Sequence, residues 1–187
     1  NLASSMPGLI PFDYGQLLID QKANEGVSLG YDQLRNQSAS VVTPLNVRSL
    51  DEEVIARVSE MRLSSDVILD SHAVTRESYG FRAIPFSHGQ LSRLALDGVI
   101  VLRCDIDILL KRMETDRQGR RQVSAELARE HLLLQEGVSI SYAIACGCPI
   151  YILDTTMLTQ DEVFAESLRI LVGLGLSAEG LSPSPAS

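Results

Sequence analysis

Four short apolar runs punctuate the chain: Leu9 to Phe12, Val67 to Leu69 within DVILDSH, the GVIVL of GVIVLRCD, and the IYIL of PIYILDTT. They do not alternate with polar residues, the pattern of strands covered on both faces in a parallel sheet clad by helices. Between them the pattern becomes helical, and helices are predicted over 16–24, 31–38, 50–63, 91–96, 106–113, 124–146 and 160–172. In the 50–63 segment Ser49 is the predicted N-cap, Glu52 completes a capping box, and Val54, Ile55, Val58 and Met61 share one face. The longest helix carries Leu127, Leu134, Val138 and Ala145 on one side and is closed by Gly147 and Pro149. At the start, NLASSMPG reads as the last turns of a helix stopped by Pro7 and Gly8. Strands separated by helices predict βα units with right-handed crossovers, hence an α/β fold with a mostly parallel sheet.

In such sheets ligands sit outside the carboxyl ends of the strands, where Asp70, His72 and Asp105 fall. A carboxylate there suits magnesium, which prefers a few carboxylates plus substrate phosphates; the plainer reading of Asp70 is a cap for the next turn. AVTRESYGFRAIPFSHGQ is too long for a minimal connection and reads as a functional loop. ETDRQGRRQVS is polar, arginine-rich and free of lysine, and LSPSPAS has the composition of disorder.

Composition narrows the function classes. With 187 residues, 45% of them hydrophobic, the chain suits one domain with a sizeable core. A net charge of −8 argues against broad electrostatic binding to nucleic acid or anionic membrane, while leaving room for a few arginines to hold a small phosphorylated ligand. No run of about 18 apolar residues is present, so no membrane partner is expected. The N-terminus does not resemble a signal peptide. Cys104, Cys146 and Cys148 form no disulfide framework and favour reduced thiols and a cytoplasmic location. Cys146-Gly147-Cys148 falls short of the four-ligand requirement of a zinc site.

FDYGQLL, YDQLR, DVILDSHAV followed by YGFRAIP, GVIVLRCDIDILLKRM, DRQGRR and REHLLLQEGVSISYAIACGCPIYILD occur in this order over residues 1–172. Together they resemble the P-loop nucleoside monophosphate kinases, most closely archaeal-type adenylate kinases and their adenylate-kinase-like ATPase relatives. The resemblance implies a three-layer α/β P-loop kinase sandwich over 1–176, with an acceptor-binding region at about 13–63, a lid at about 112–124 and a disordered tail at 177–187. It implies ATP and magnesium as cofactors and a nucleoside monophosphate as acceptor.

The resemblance also implies roles. Arg112, Arg117, Arg120 and Arg121 would close over ATP about Gly119, with Arg112, Arg117 and Arg121 acting in catalysis, since guanidinium forks match phosphate oxygens. Arg35 would grip the acceptor phosphate, and Tyr79, Gly80, Phe81 and Arg82 would line the acceptor site. Asp70 would organise the magnesium shell, and His72 would lie near the transferred phosphate or the acceptor loop. Asp13 and Gly15 would open the acceptor helices, where a helix N-terminus favours an anion. His131 and Tyr142 read as packing residues. Phe-Arg-Ala-Ile-Pro replaces the family's commoner Gly-Tyr-Leu-Pro-Gly-Leu-Pro, which leaves acceptor identity open.

The phosphate-cradling G-x-x-x-x-G-K-[ST] is absent: the two lysines, Lys22 and Lys111, follow Gln21 and Leu110. The expectation is that roughly two dozen upstream residues are missing, judged from usual element lengths. They would include the strand that in this family lies centrally between DVILD and GVIVLRC. Without it the chain is expected to be poorly stable and inactive, because two strand edges lose their ladder partner. Three functions follow: an ATP:AMP phosphotransferase, a P-loop ATPase or kinase for another small acceptor, or an inactive homologue acting as a binding module.

Overall fold

The computed structural model describes residues 9–27, 30, 43–77, 79–115 and 123–176. Strands and helices follow one another as β1 (Leu9–Asp13), α1 (Tyr14–Asn24), α2 (Pro44–Met61), β2 (Asp66–Asp70), β3 (Val74–Glu77), β4 (Gly80–Ala83) and α3 (His88–Leu94). They continue as β5 (Val99–Arg103), α4 (Ile106–Thr115), α5 (Ala125–Cys146), β6 (Ile150–Asp154) and α6 (Gln160–Gly173). The architecture is mixed α/β with parallel sheets, as the uninterrupted apolar runs predict. β1 pairs in parallel with β2, Leu9 opposite Asp66 and Asp13 opposite Asp70. β5 pairs in parallel with β6, Val99 opposite Ile150 and Arg103 opposite Asp154.

The two faces of β2 explain why its run does not alternate. Val67 and Leu69 pack against the main core, built from Phe12, Leu18, Leu50, Val54, Ile55, Val58 and Leu94. Ile68 packs with Ile100 against Leu9 and Leu171, a second cluster that joins the two parallel pairs. Among the described residues β2 and β5 each pair along one edge only, and β2's apolar residues are half-buried.

Three predicted features change. α2 begins at Pro44 rather than 50: Thr43 is its N-cap, Asn46 completes the capping box, and proline suits the first turn because its missing N–H has no helical partner there. Ser49 instead accepts a hydrogen bond from Gln21 Nε2 at 3.3 Å, and Glu52 pairs with Arg93 at 2.6 Å. The presumed loop after β2 contains the antiparallel hairpin β3–β4, with Glu77 opposite Gly80. Gly80 has φ +134°, a conformation that L side chains rarely adopt. α3 starts earlier than predicted, at His88, behind the Ser87–Gln90 capping box. Gly147 ends α5 at φ +67°, as predicted. The predicted helix over 31–38, the N-terminal helix remnant and the tail lie outside the described residues.

α2 and α3 are stapled at their ends. The Arg62 guanidinium donates to the Leu94 and Ala95 carbonyls and pairs with Asp97 at 3.0 Å, satisfying acceptors that α3 leaves open. Val54 and Ile55 have no exposed surface, so α2 is the element whose truncation the fold tolerates least. Ile55→Ala is expected to cost about 2–5 kcal/mol through lost burial and a cavity, measurable by urea unfolding.

Candidate functional site

On the inner stripe of α2, between Leu50 and Val54, lies a carboxylate. Asp51 is 4% exposed. Its Oδ1 accepts from the Tyr14 hydroxyl at 2.6 Å, and its Oδ2 is approached by Gln90 Nε2 at 3.4 Å. Gln90 Oε1 accepts from the Ser87 N–H at 2.8 Å, so the capping box fixes which end of that amide faces Asp51. Asp51 lines a cavity of about 410 Å³ with Arg48, Arg82, Ser87, Gln90 and the segment Ala83 to Pro85.

Burial pushes the Tyr14 phenol well above its ordinary range, and the bond to Asp51 adds to this. Burial also raises Asp51, opposed by the hydrogen bonds from Tyr14 and Gln90. Tyr142 is pushed up to about 12, chiefly by burial.

The hairpin that supplies Arg82 hangs on α5. His131 Nε2 lies 3.0 Å from the Val74 carbonyl, and the Val74 N–H donates to Gln135 Oε1 at 3.2 Å. The Phe81 ring sits 5.4 Å from that of His131. The Phe86 N–H donates to the Tyr142 hydroxyl at 3.0 Å. His131 and Tyr142 thus hold the cavity's framework, in keeping with their reading as packing residues. Arg82 pairs with the buried Glu77 at 2.9 Å across the hairpin.

A second group of polar residues lies at the carboxyl ends of the parallel strands. Asp13 and Asp70 are register partners at the end of β1–β2. Asp13 caps α1 by accepting from the Gln16 N–H at 3.0 Å, which places Gly15 in that helix's first turn. Asp70 and His72 are exposed, 3.9 Å apart. At the ends of β5 and β6 a more open cavity of about 500 Å³ is lined by Arg103, Cys104, Asp105, Asp154 and Thr156, with Met157 and Leu158. Burial raises the Cys104 thiol.

The structure does not gather all the predicted residues. Arg112 donates to Thr155 Oγ1 at 3.2 Å and to the carbonyls of Thr155 and Leu158 at 2.8 and 3.3 Å, stapling α4 to the loop before α6. Arg35, Arg117, Arg120 and Arg121 lie outside the described residues. Lys22 is buried and paired with Glu25 at 2.7 Å, consistent with its exclusion from a phosphate loop. Among the described residues no three acidic, histidine or cysteine side chains cluster as a preformed metal site. None of the described helices is long and apolar enough to cross a membrane.

Arg48, Asp51 and Gln90 were not singled out from the sequence. Their signal was present: Asp51 occupies a position of the Leu50–Val54–Ile55–Val58 stripe where a charge costs desolvation unless it is partnered. Starting α2 at residue 50 hid Arg48 by leaving it outside the helix.

Comparison with known proteins converges on one group. A family model described as "AAA domain" matches residues 1–129. The adenylate kinase of Methanocaldococcus jannaschii is 20% identical over 161 residues, covering 85% of this chain and 80% of that protein. The Thermococcus kodakarensis adenylate kinase is 25% identical over 162 residues, covering 86% and 78%, and that of Pyrococcus abyssi is 22% identical over a similar span.

The raised Asp51 carries a stability consequence. A carboxyl whose folded-state pKa lies above its unfolded value destabilises the fold above that folded value, and the penalty fades as pH falls through it. Asp51→Asn, a mimic of the protonated form, is therefore expected to raise the melting temperature at neutral pH. The gain should shrink on acidification, as followed by circular dichroism across a pH series.

Proposed function

Because the chain belongs to the AAA domain family, whose model spans residues 1–129, we propose that it transfers a phosphoryl group from ATP to a nucleoside monophosphate, most simply AMP, in the cytoplasm. The adenylate kinase relatives support nucleotide phosphoryl transfer as the reaction class. The observation that carries the acceptor reading is the cavity in which Arg48 and Arg82 stand beside the buried Asp51. Two guanidinium groups suit the phosphate of a monophosphate.

In this reading the kinase domain covers 1–176, with the acceptor region at 13–63 and the lid at 112–124. Phosphoryl transfer is mostly positioning and charge neutralisation, so the work falls to groups that hold phosphates and exclude water. Arg35 and Arg82 would hold the acceptor phosphate, and the N-terminus of α1, opened by Asp13 and Gly15, would favour an anion. Gly80 and Phe81 would shape the acceptor side, with His72 near the transferred phosphate. Arg117, Arg120 and Arg121 would close over the ATP phosphates, with Arg112 at the base of that lid.

Asp70 fits magnesium. It is exposed at a strand end, and this ion needs only one or two protein carboxylates when substrate phosphates supply the rest. When bound, the ion would neutralise phosphate charge. Asp70 is the residue that would hold its water shell.

Phe81 to Pro85, which departs from the family's commoner loop, favours a second reading as an ATPase or as a kinase for another small acceptor. An acceptor panel separates the two. ADP formation that depends on AMP is expected; turnover indifferent to every nucleotide acceptor would overturn the kinase reading. Arg82→Ala is expected to raise the acceptor KM roughly tenfold to a hundredfold, the worth of a charged hydrogen bond.

A further inference from the structure

We propose that Cys146 and Cys148 form a dithiol site that exchanges with low-molecular-weight disulfides, closing reversibly to an internal disulfide at the turn from α5 into β6.

The turn sets the geometry. Gly147, between the two cysteines, caps α5 in the left-handed helical region, at φ +67° and ψ +27°. Helical backbone of either hand brings the Cα atoms flanking a residue to about 5.4 Å, by the radius and rise of the helix. Disulfides span Cα separations of about 4.4–6.8 Å, so the spacing suits closure. Main-chain bonds pin this arrangement: the Cys148 N–H donates to the Ala143 carbonyl at 3.1 Å, and the Gly147 N–H to that of Ile144 at 3.3 Å. The side chains complete it. The two thiols lie within hydrogen-bonding reach of each other, and this contact, after burial, is among the causes that raise the Cys148 thiol.

Both cysteines are partly exposed, and Gly147 and Pro149 beside them are exposed, so a small disulfide can reach the sulfurs. Neither cavity described above is lined by them. Among the described residues no further acidic, histidine or cysteine side chain joins them as a third metal ligand. Thiol exchange is the chemistry the pair offers. One thiolate attacks a small disulfide, giving a mixed disulfide and releasing the first small thiolate; the second attacks the protein sulfur of that mixed disulfide, forming the Cys146–Cys148 bond and releasing the other. The two thiol protons end on the released thiolates, and the pair's two electrons reduce the small disulfide.

Closure also removes the Cys146 S–H, which donates to the Leu91 carbonyl at 3.7 Å and ties α5 to α3. The plainer reading, cysteine as a small apolar residue at a helix end, accounts for the partial burial of each sulfur but not for their mutual contact across a left-handed glycine.

The test incubates the protein in glutathione buffers of graded oxidised-to-reduced ratio, quenches with acid and iodoacetamide, and maps tryptic peptides by mass. Cleavage after Arg103, Lys111, Arg129 and Arg169 puts Cys104 and the pair on separate peptides. The peptide carrying the pair is expected to lose two hydrogens and escape alkylation. A free peptide of residues 143–150 is the reference. It must immobilise Gly147 on closing, a freedom that the fold has already removed, so the closing constant in the protein should be roughly tenfold larger. Cys148→Ser should stop at a glutathione adduct on Cys146. Two results would overturn the proposal, and neither needs a variant to fold: closure no more favourable than in the free peptide, or a glutathione adduct that persists on the wild-type pair.

Discussion

Burial of the apolar face of α2 is the constraint on which the rest of the molecule depends. Leu50, Val54, Ile55 and Val58 fill the space between α1, α3 and the β1–β2 pair. Fully burying such side chains contributes about 1.5–3 kcal/mol each. The same helical period that brings these four inward brings Asp51 inward as well. The carboxylate is therefore not an addition to the core but a member of it, with its desolvation cost offset by Tyr14 and Gln90 from the two neighbouring helices. Core and site share one helix face.

That shared face shows what the sequence could and could not reveal. The strands were legible because burial on both faces demands uninterrupted apolar residues, and Val67, Ile68 and Leu69 divide between two clusters as that rule requires. The long α5 was legible from its start and stop, since Ser124 caps one end and Gly147 the other. The hairpin was not. Arg76, Glu77 and Arg82 make VTRE and GFRA look like loop, and only their pairing across the turn and the Arg82–Glu77 contact account for charged residues there. The cavity was hidden for a related reason: it joins Arg48 and Asp51 on α2 to Arg82 and Gln90 more than thirty residues away, a proximity no local pattern encodes. That Asp13 and Asp70 stand at strand ends was legible because strand ends are local features.

The arginines divide into those that hold the protein together and those that face the cavity. Arg62 closes the end of α3, and Arg112 fastens α4 to the loop before α6. Each does so through main-chain carbonyls, for which a planar fork with several donors is well suited. Arg48 instead lines the cavity beside a carboxylate, and Arg82 serves both duties, pairing with Glu77 across the hairpin while lining that cavity. An arginine count in a motif cannot separate these duties; the acceptors that each guanidinium meets can.

The hydrogen bonds that fasten the hairpin and the segment after it to α5 go to main-chain atoms: the Val74 N–H and carbonyl and the Phe86 N–H are what Gln135, His131 and Tyr142 grip, while the Phe81 ring adds a contact to His131. Main-chain atoms are common to every residue except proline's missing N–H. Side chains between these anchor points that make no such contact can therefore be exchanged without loosening the anchors themselves. Mutational drift can explore the lining of the cavity while the scaffold stays fixed, making this segment a natural place for related proteins to diverge in what they accept.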